Sequence, residues 1–177
     1  MKQHNYQDLI KLFNSLFEFT ENTILIANGT EPLYLPQDEN SPKNRIIFTH
    51  DYYSSALHEI AHWCIASKER RKLNDYGYWY NPHRTTIEDQ HLFEHAEAKP
   101  QALEWIFSVA AGIKFNISAD NLALNNEISP TFKNLIYQQA IKYLTEGLPD
   151  RAELFKTGLL SFYNRDDIFD LSFFSLD

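Results

Sequence analysis

The chain has 177 residues, of which 44% are hydrophobic and 23% charged, a composition that indicates one globular domain over residues 1–177 and excludes a disordered or fibrous protein. Its formal net charge of −8 argues against a broad surface for nucleic acid or for an anionic membrane, so neither is expected as a partner. No apolar run has the length of a membrane span. The single cysteine, Cys64, permits no internal disulfide and is typical of a cytoplasmic protein.

Hydrophobic periodicity predicts a mostly helical α+β domain with a small β-sheet. Helical spacing of apolar residues predicts five helices, at residues 6–19, 54–72, 86–111, 132–145 and 150–163. Pro100 lies inside the third of them and predicts either a kink or a junction of two helices. Two β-branched runs, at 23–26 and 45–48, predict strands that could pair with each other. The polar, proline-marked stretch between them, residues 33–43, is expected to be a surface loop.

The strongest chemical signal is an HExxH motif in the second predicted helix, His58-Glu59-Ile60-Ala61-His62. Histidines four residues apart lie on one face of a helix, so both imidazoles can reach the same metal ion. Glu59 lies to one side of the histidine pair but can approach a metal-bound water, as the general base of metallopeptidases does. The motif therefore predicts that His58 and His62 bind a metal and that Glu59 is a catalytic residue.

The third predicted helix supplies the best candidates for a further ligand. Residues with spacings of three, four and three form one polar stripe along it, namely Glu94, Glu97, Gln101 and Glu104. Such a stripe is often only a solvated face, but the HExxH motif favours a site. Glu97 is the predicted third ligand, and Gln101 could hold its carboxylate or a metal-bound water. Glu94 is a second supporting residue and the reserve ligand.

Three functions are compatible with two histidines and one carboxylate. Zinc with a bound water and a glutamate base hydrolyses peptides. Iron(II) held by a facial triad of these ligands activates oxygen. An ion that only joins two helices would instead stabilise a non-catalytic binding module. The ligands alone do not choose among these functions.

A run of basic residues follows the HExxH motif and stands out in an acidic chain. It consists of Lys68, Arg70, Arg71 and Lys72. One interpretation is a docking patch for an acidic protein near the site. The alternative is a solvated helix end that is stabilised by the helix dipole.

Several segments together resemble the elongation factor P hydroxylase family. They are Asn44-Arg45-Ile46-Ile47-Phe48, the stretch from Ala56 to Ala66 that contains the HExxH motif, the aromatic run Asp75-Tyr76-Gly77-Tyr78-Trp79-Tyr80, and the stretch from Glu94 to Trp105. The resemblance covers most of the chain and is tightest over residues 44–116, while the C-terminal third fits more loosely.

The resemblance implies a metal-dependent monooxygenase that hydroxylates the β-lysylated lysine of elongation factor P, a post-translational modification that supports translation in the cytoplasm. It implies that His58, His62 and Glu97 hold the metal, with iron(II) as the ion, zinc as an alternative or substitute, and molecular oxygen as co-substrate. It also implies an α+β fold whose HExxH helix is similar to that of metallopeptidases. A zinc-dependent metallopeptidase is the alternative function.

Overall fold

The computed structural model describes residues 4–49, 52–75, 86–118, 128–166 and 171–174. Within these ranges the chain forms five α-helices and three strands, in the order α1 (Tyr6–Phe17), β1 (Thr23–Gly29), β2 (Leu33–Leu35), β3 (Asn44–Thr49), α2 (Tyr53–Ile65), α3 (Ile87–Ala111), α4 (Pro130–Glu146) and α5 (Asp150–Tyr163). The predicted mostly helical α+β fold is confirmed. The aromatic run at 76–80 lies outside the described residues. In the part of the chain that is described, no helix combines the length and apolar character needed to cross a bilayer.

The three strands form one sheet in the order β1-β3-β2. The two β-branched runs form β1 and β3, which pair with each other as expected, and the pairing is parallel, with Leu25 opposite Ile46. β2 pairs antiparallel with the other edge of β3, with Tyr34 opposite Ile46. The predicted surface loop at 33–43 is therefore wrong at its start. Three residues between two prolines are too few to show a strand periodicity.

α3 is the central helix of the fold and contacts α2, α4 and α5. The Thr86 side chain caps its N-terminus by accepting a hydrogen bond from the Asp89 amide, and Gly112 ends it in the left-handed region at φ 77°. The chain is one continuous helix through Pro100 rather than two helices. Residues 101–111 are buried on nearly every face, which explains why this half lacks an amphipathic pattern.

α2 is shorter than the sequence predicted. It ends at Ile65, Ala66 has an extended backbone with ψ 130°, and Arg70–Lys72 form a separate turn of 3-10 helix. The predicted helix over 54–72 is therefore wrong in its last turns. The basic run lies outside the helix, so the helix dipole of α2 does not account for it.

Arg151 in the first turn of α5 holds the C-terminus of α2. Its Nη2 donates hydrogen bonds to the backbone oxygens of Trp63 at 2.9 Å, Cys64 at 3.1 Å and Ala66 at 2.6 Å. Its guanidinium also lies over the Trp63 ring, 4.7 Å from the centroid. The last carbonyls of a helix have no partner within the helix. This single side chain therefore satisfies carbonyls at the C-terminus of α2 and anchors the helix to α5.

We expect Arg151→Ala to lower the free energy of unfolding by about 2–3 kcal/mol, because hydrogen bonds from a charged donor and a cation–π contact are lost together. Urea denaturation with an unchanged m-value measures the loss. The matched control is Lys142→Ala on α4, which removes an exposed ion pair with Glu146 at 3.8 Å and should change stability by less than about 0.5 kcal/mol. Equal stabilities of the two variants would contradict the anchoring role.

Candidate metal centre

The packing of α2 against α3 brings the two motif histidines together with a carboxylate. His58 and His62 lie one turn apart on α2, and their Nε2 atoms are 3.0 Å apart. Glu97 of α3 faces both rings, with Oε2 3.4 Å from His58 Nε2 and Oε1 3.3 Å from His62 Nε2. Ligand atoms of all three residues lie within 4.8 Å of one another. The structure thus places the three residues predicted as ligands in one group.

The spacing of these atoms fits a single ion. Two ligand atoms that each bind a metal at about 2.1 Å lie about 3.0–3.4 Å apart when the angle at the metal is between square and tetrahedral. The three contacts above fall within that range and involve both oxygens of Glu97, so they match a carboxylate that binds through both oxygens. The range includes both square and tetrahedral angles at the metal, so these distances do not distinguish zinc from iron.

The charges of the group also fit a cation. Glu97 is only 3% exposed, and burial alone would raise its pKa, but the charges of His62 and His58 and hydrogen bonds from His62 and Gln101 lower the pKa to about 2. Burial lowers the pKa of His58, yet a hydrogen bond to Glu104 and the charges of Glu104 and Glu97 outweigh it and raise that pKa to about 10. Both shifts arise from the same close contacts between imidazole nitrogens and buried carboxylates.

The carboxylates of Glu97 and Glu104 are buried beside His58, and each contacts one of its ring nitrogens. A divalent cation beside the two imidazoles would offset buried carboxylate charge, and histidine binds metals as the neutral imidazole. The residues present therefore fit a divalent metal ion.

Gln101 lies beside Glu97, where the sequence interpretation placed it. Its side-chain amide donates to the Ser118 oxygen at 2.7 Å and accepts from the Ser118 amide at 3.1 Å. Its hydrogen bond to Glu97 helps to lower the pKa of that carboxyl. Two backbone bonds thus fix the amide that contacts the candidate ligand.

Glu94 is as deeply buried as Glu97, but its carboxylate contacts other residues. Its Oε1 accepts hydrogen bonds from Ser129 Oγ at 2.9 Å and from Gln90 Nε2 at 3.2 Å. Ser129 is also the N-cap of α4. These bonds join α3 to α4 and do not involve the candidate ligands.

Glu104 is the residue that the sequence interpretation left without a role. Its Oε2 lies 2.8 Å from His58 Nδ1, and the residue is 6% exposed. Glu104 follows Glu97 by seven residues, about two helical turns, so the sequence had placed Glu97 and Glu104 on one face of α3. The contact with His58 depends on how α2 and α3 are aligned, which the spacing within either helix does not reveal.

A cavity of about 490 Å³ opens beside the candidate ligands. His58, Glu59 and Glu97 line it, together with the hydroxyl-bearing residues Thr49, Ser54, Ser55 and Ser108. Burial raises the pKa of Glu59, and the charges of His58 and His62 offset part of that effect. The volume is typical of ligand pockets, and the polar wall suits a side chain that carries charge and hydrogen-bonding groups.

The basic run is divided between internal ion pairs and the surface. Arg70 Nη2 pairs with Asp75 at 2.8 Å, and Arg71 Nη1 pairs with Glu21 at 2.8 Å. Lys72 and Lys68 are exposed, and Lys72 contacts Glu69 at 2.7 Å. The two arginines thus stabilise the fold around the end of α2, which leaves the two lysines as the exposed positive charges of the run.

Comparison with known proteins gives two agreeing matches. The family described as "Elongation factor P hydroxylase" matches residues 12–173. A protein of Haemophilus influenzae named "Elongation factor P lysine hydroxylase" is 48% identical to this chain over 174 residues, which is 98% of each chain. Both matches run through α1 to α5 and include the HExxH helix. The chain belongs to the elongation factor P hydroxylase family.

Proposed function

We propose that this chain hydroxylates a lysine side chain of elongation factor P. The observation that carries the proposal is the group formed by His58, His62 and Glu97, of which His58 and Glu97 line a 490 Å³ pocket, in a chain 48% identical to an elongation factor P lysine hydroxylase. The family match favours this reaction over the peptidase that an HExxH motif also permits. Since the family match spans residues 12–173, we propose that the whole chain acts as one hydroxylase domain.

The proposed ligands are Nε2 of His58, Nε2 of His62 and the carboxylate of Glu97, with iron(II) as the ion and zinc as a substitute. When bound, iron(II) would supply the oxygen activation that is typical of a triad of two histidines and one carboxylate. One atom of molecular oxygen enters a substrate C–H bond, and the other leaves as water with two electrons and two protons from a reductant. The hydrogen bond from Gln101 would orient the Glu97 carboxylate during the reaction.

The proposed substrate is the lysine that already carries a β-lysyl group. The pocket volume fits an extended side chain, and a wall that contains carboxylates attracts its ammonium groups. Glu59 lines this pocket, and we propose that its carboxylate contacts the substrate side chain. Because the substrate is a translation factor, the reaction belongs in the cytoplasm.

Co-expression with β-lysylated elongation factor P tests the reaction. Intact-mass analysis should show the gain of one oxygen atom on elongation factor P with the wild-type chain. The gain should vanish with His58→Ala, because a metal ligand is removed. A wild-type chain that binds metal and yields no oxygen gain would contradict the hydroxylase and favour a binding module.

Metal affinity tests the ligand set separately. We expect His58→Ala, His62→Ala and Glu97→Ala each to weaken binding of iron(II) or zinc at least about tenfold, since even residues that only support ligands contribute about 10–100-fold. Competition with a chromogenic chelator under anaerobic conditions measures the affinity. If Glu97→Ala retains the metal and Glu94→Ala loses it, Glu94 is the third ligand instead.

Charge reversal of the exposed lysines tests whether they help to dock elongation factor P. We propose that Lys68 and Lys72 attract an acidic surface of elongation factor P, whereas Arg70 and Arg71 are engaged in internal pairs. The double variant Lys68→Glu and Lys72→Glu should raise KM by about two- to tenfold at low salt, with kcat and metal content unchanged. Lys142→Glu, an exposed lysine of α4, is the matched control. An unchanged KM in the double variant would show that the basic run is only a solvated surface.

A further inference from the structure

We propose that Glu104 is a positioning residue of the metal centre: its carboxylate holds His58 in the tautomer protonated at Nδ1, so that Nε2 is free to bind the ion. The inference rests on the metal site proposed above and extends it to a residue that does not itself contact the metal.

The contact between Glu104 and His58 has the geometry that this role requires. Glu104 Oε2 lies 2.8 Å from Nδ1, while Nε2 of the same ring lies 3.0 Å from Nε2 of His62 and 3.4 Å from Glu97 Oε2. A neutral imidazole carries one proton, and an ionised carboxylate can only accept. In the metal-bound protein, where the imidazole of His58 would be neutral, the proton therefore belongs on Nδ1, and the lone pair on Nε2 points toward the other two ligands.

Glu104 is buried beside the His58 ring, with 6% of its surface exposed. It lies in the buried half of α3 between Leu103 and Trp105, both of which belong to the hydrophobic core. It contacts the edge of the imidazole opposite the one that faces His62 and Glu97, so it supports His58 without occupying a ligand position. A carboxylate on the outer nitrogen of a ligating histidine fixes the orientation of the ring and raises its basicity.

α3 thereby contributes to both sides of the proposed centre. Glu97 supplies a ligand, and Glu104, two turns later on the same face, fixes a ligand that α2 supplies. A purely structural ion pair between Glu104 and a protonated His58 is the competing explanation. It predicts lower stability without Glu104 but no specific loss of metal affinity.

Zinc affinity of the purified full chain, measured by chelator competition, separates the two explanations. We expect Glu104→Ala to weaken zinc binding by about 10–100-fold, and Glu104→Gln to weaken it less, because its amide oxygen still accepts from Nδ1. The control is Lys142→Ala on α4, which removes only an exposed ion pair with Glu146. Its zinc affinity should stay within about twofold of wild type, since Lys142 supports no ligand.

Nitrogen-15 NMR of histidine-labelled, zinc-loaded wild-type chain gives a readout that a structural role would not move. His58 should show a protonated Nδ1 and a metal-bound Nε2. Wild-type zinc affinity in Glu104→Ala, or a spectrum with zinc on Nδ1 of His58, would overturn the proposal. If Glu104→Ala does not fold, the wild-type spectrum and the Glu104→Gln affinity decide.

The zinc affinity and NMR measurements can fail or succeed independently of the hydroxylation assay. A chain that binds zinc with the expected tautomer but adds no oxygen to elongation factor P refutes the proposed reaction and supports the role of Glu104. A wild-type chain that binds neither zinc nor iron(II) overturns the metal site and this inference together.

Discussion

The contact between the carboxylates of α3 and the histidines of α2 is the constraint on which the site depends. Burying a charge in a protein is unfavourable by several kcal/mol unless a partner compensates it. Glu97 and Glu104 are both buried, and each contacts a motif histidine. The alignment of the two helices is therefore set by electrostatics as well as by packing. In the observed alignment, both carboxylates lie within contact distance of His58.

The remaining packing supports that alignment from the other sides. α3 is enclosed by α4 and α5 as well as α2, and its second half contributes residues to the hydrophobic core. Arg151 ties α5 to the last carbonyls of α2, and Glu94 ties α3 to the N-cap of α4. Polar contacts outside the site thus fix both helices that carry the candidate ligands.

Local chemistry made much of this structure predictable from the sequence. The boundaries of α3 follow from the cap at Thr86 and the glycine at Gly112, and the histidine pair follows from helical spacing. Long-range contacts explain what was missed. The carbonyls at the end of α2 accept hydrogen bonds from Arg151, more than eighty residues away, and Arg71 of the basic run pairs with Glu21, fifty residues earlier. The role of Glu104 depends on the alignment of two helices, which no pattern within one helix contains.

The stripe on α3 makes the site sensitive to a change in chain length that the helix itself would tolerate. One residue inserted between Glu97 and Glu104 would leave α3 helical but rotate Glu104 by about 100° around the helix axis. Its carboxylate would then point away from His58 and into neighbouring core residues. Homologous chains that keep this chemistry should therefore vary in the connections between helices, and the distance in residues from Glu97 to Glu104 should stay constant.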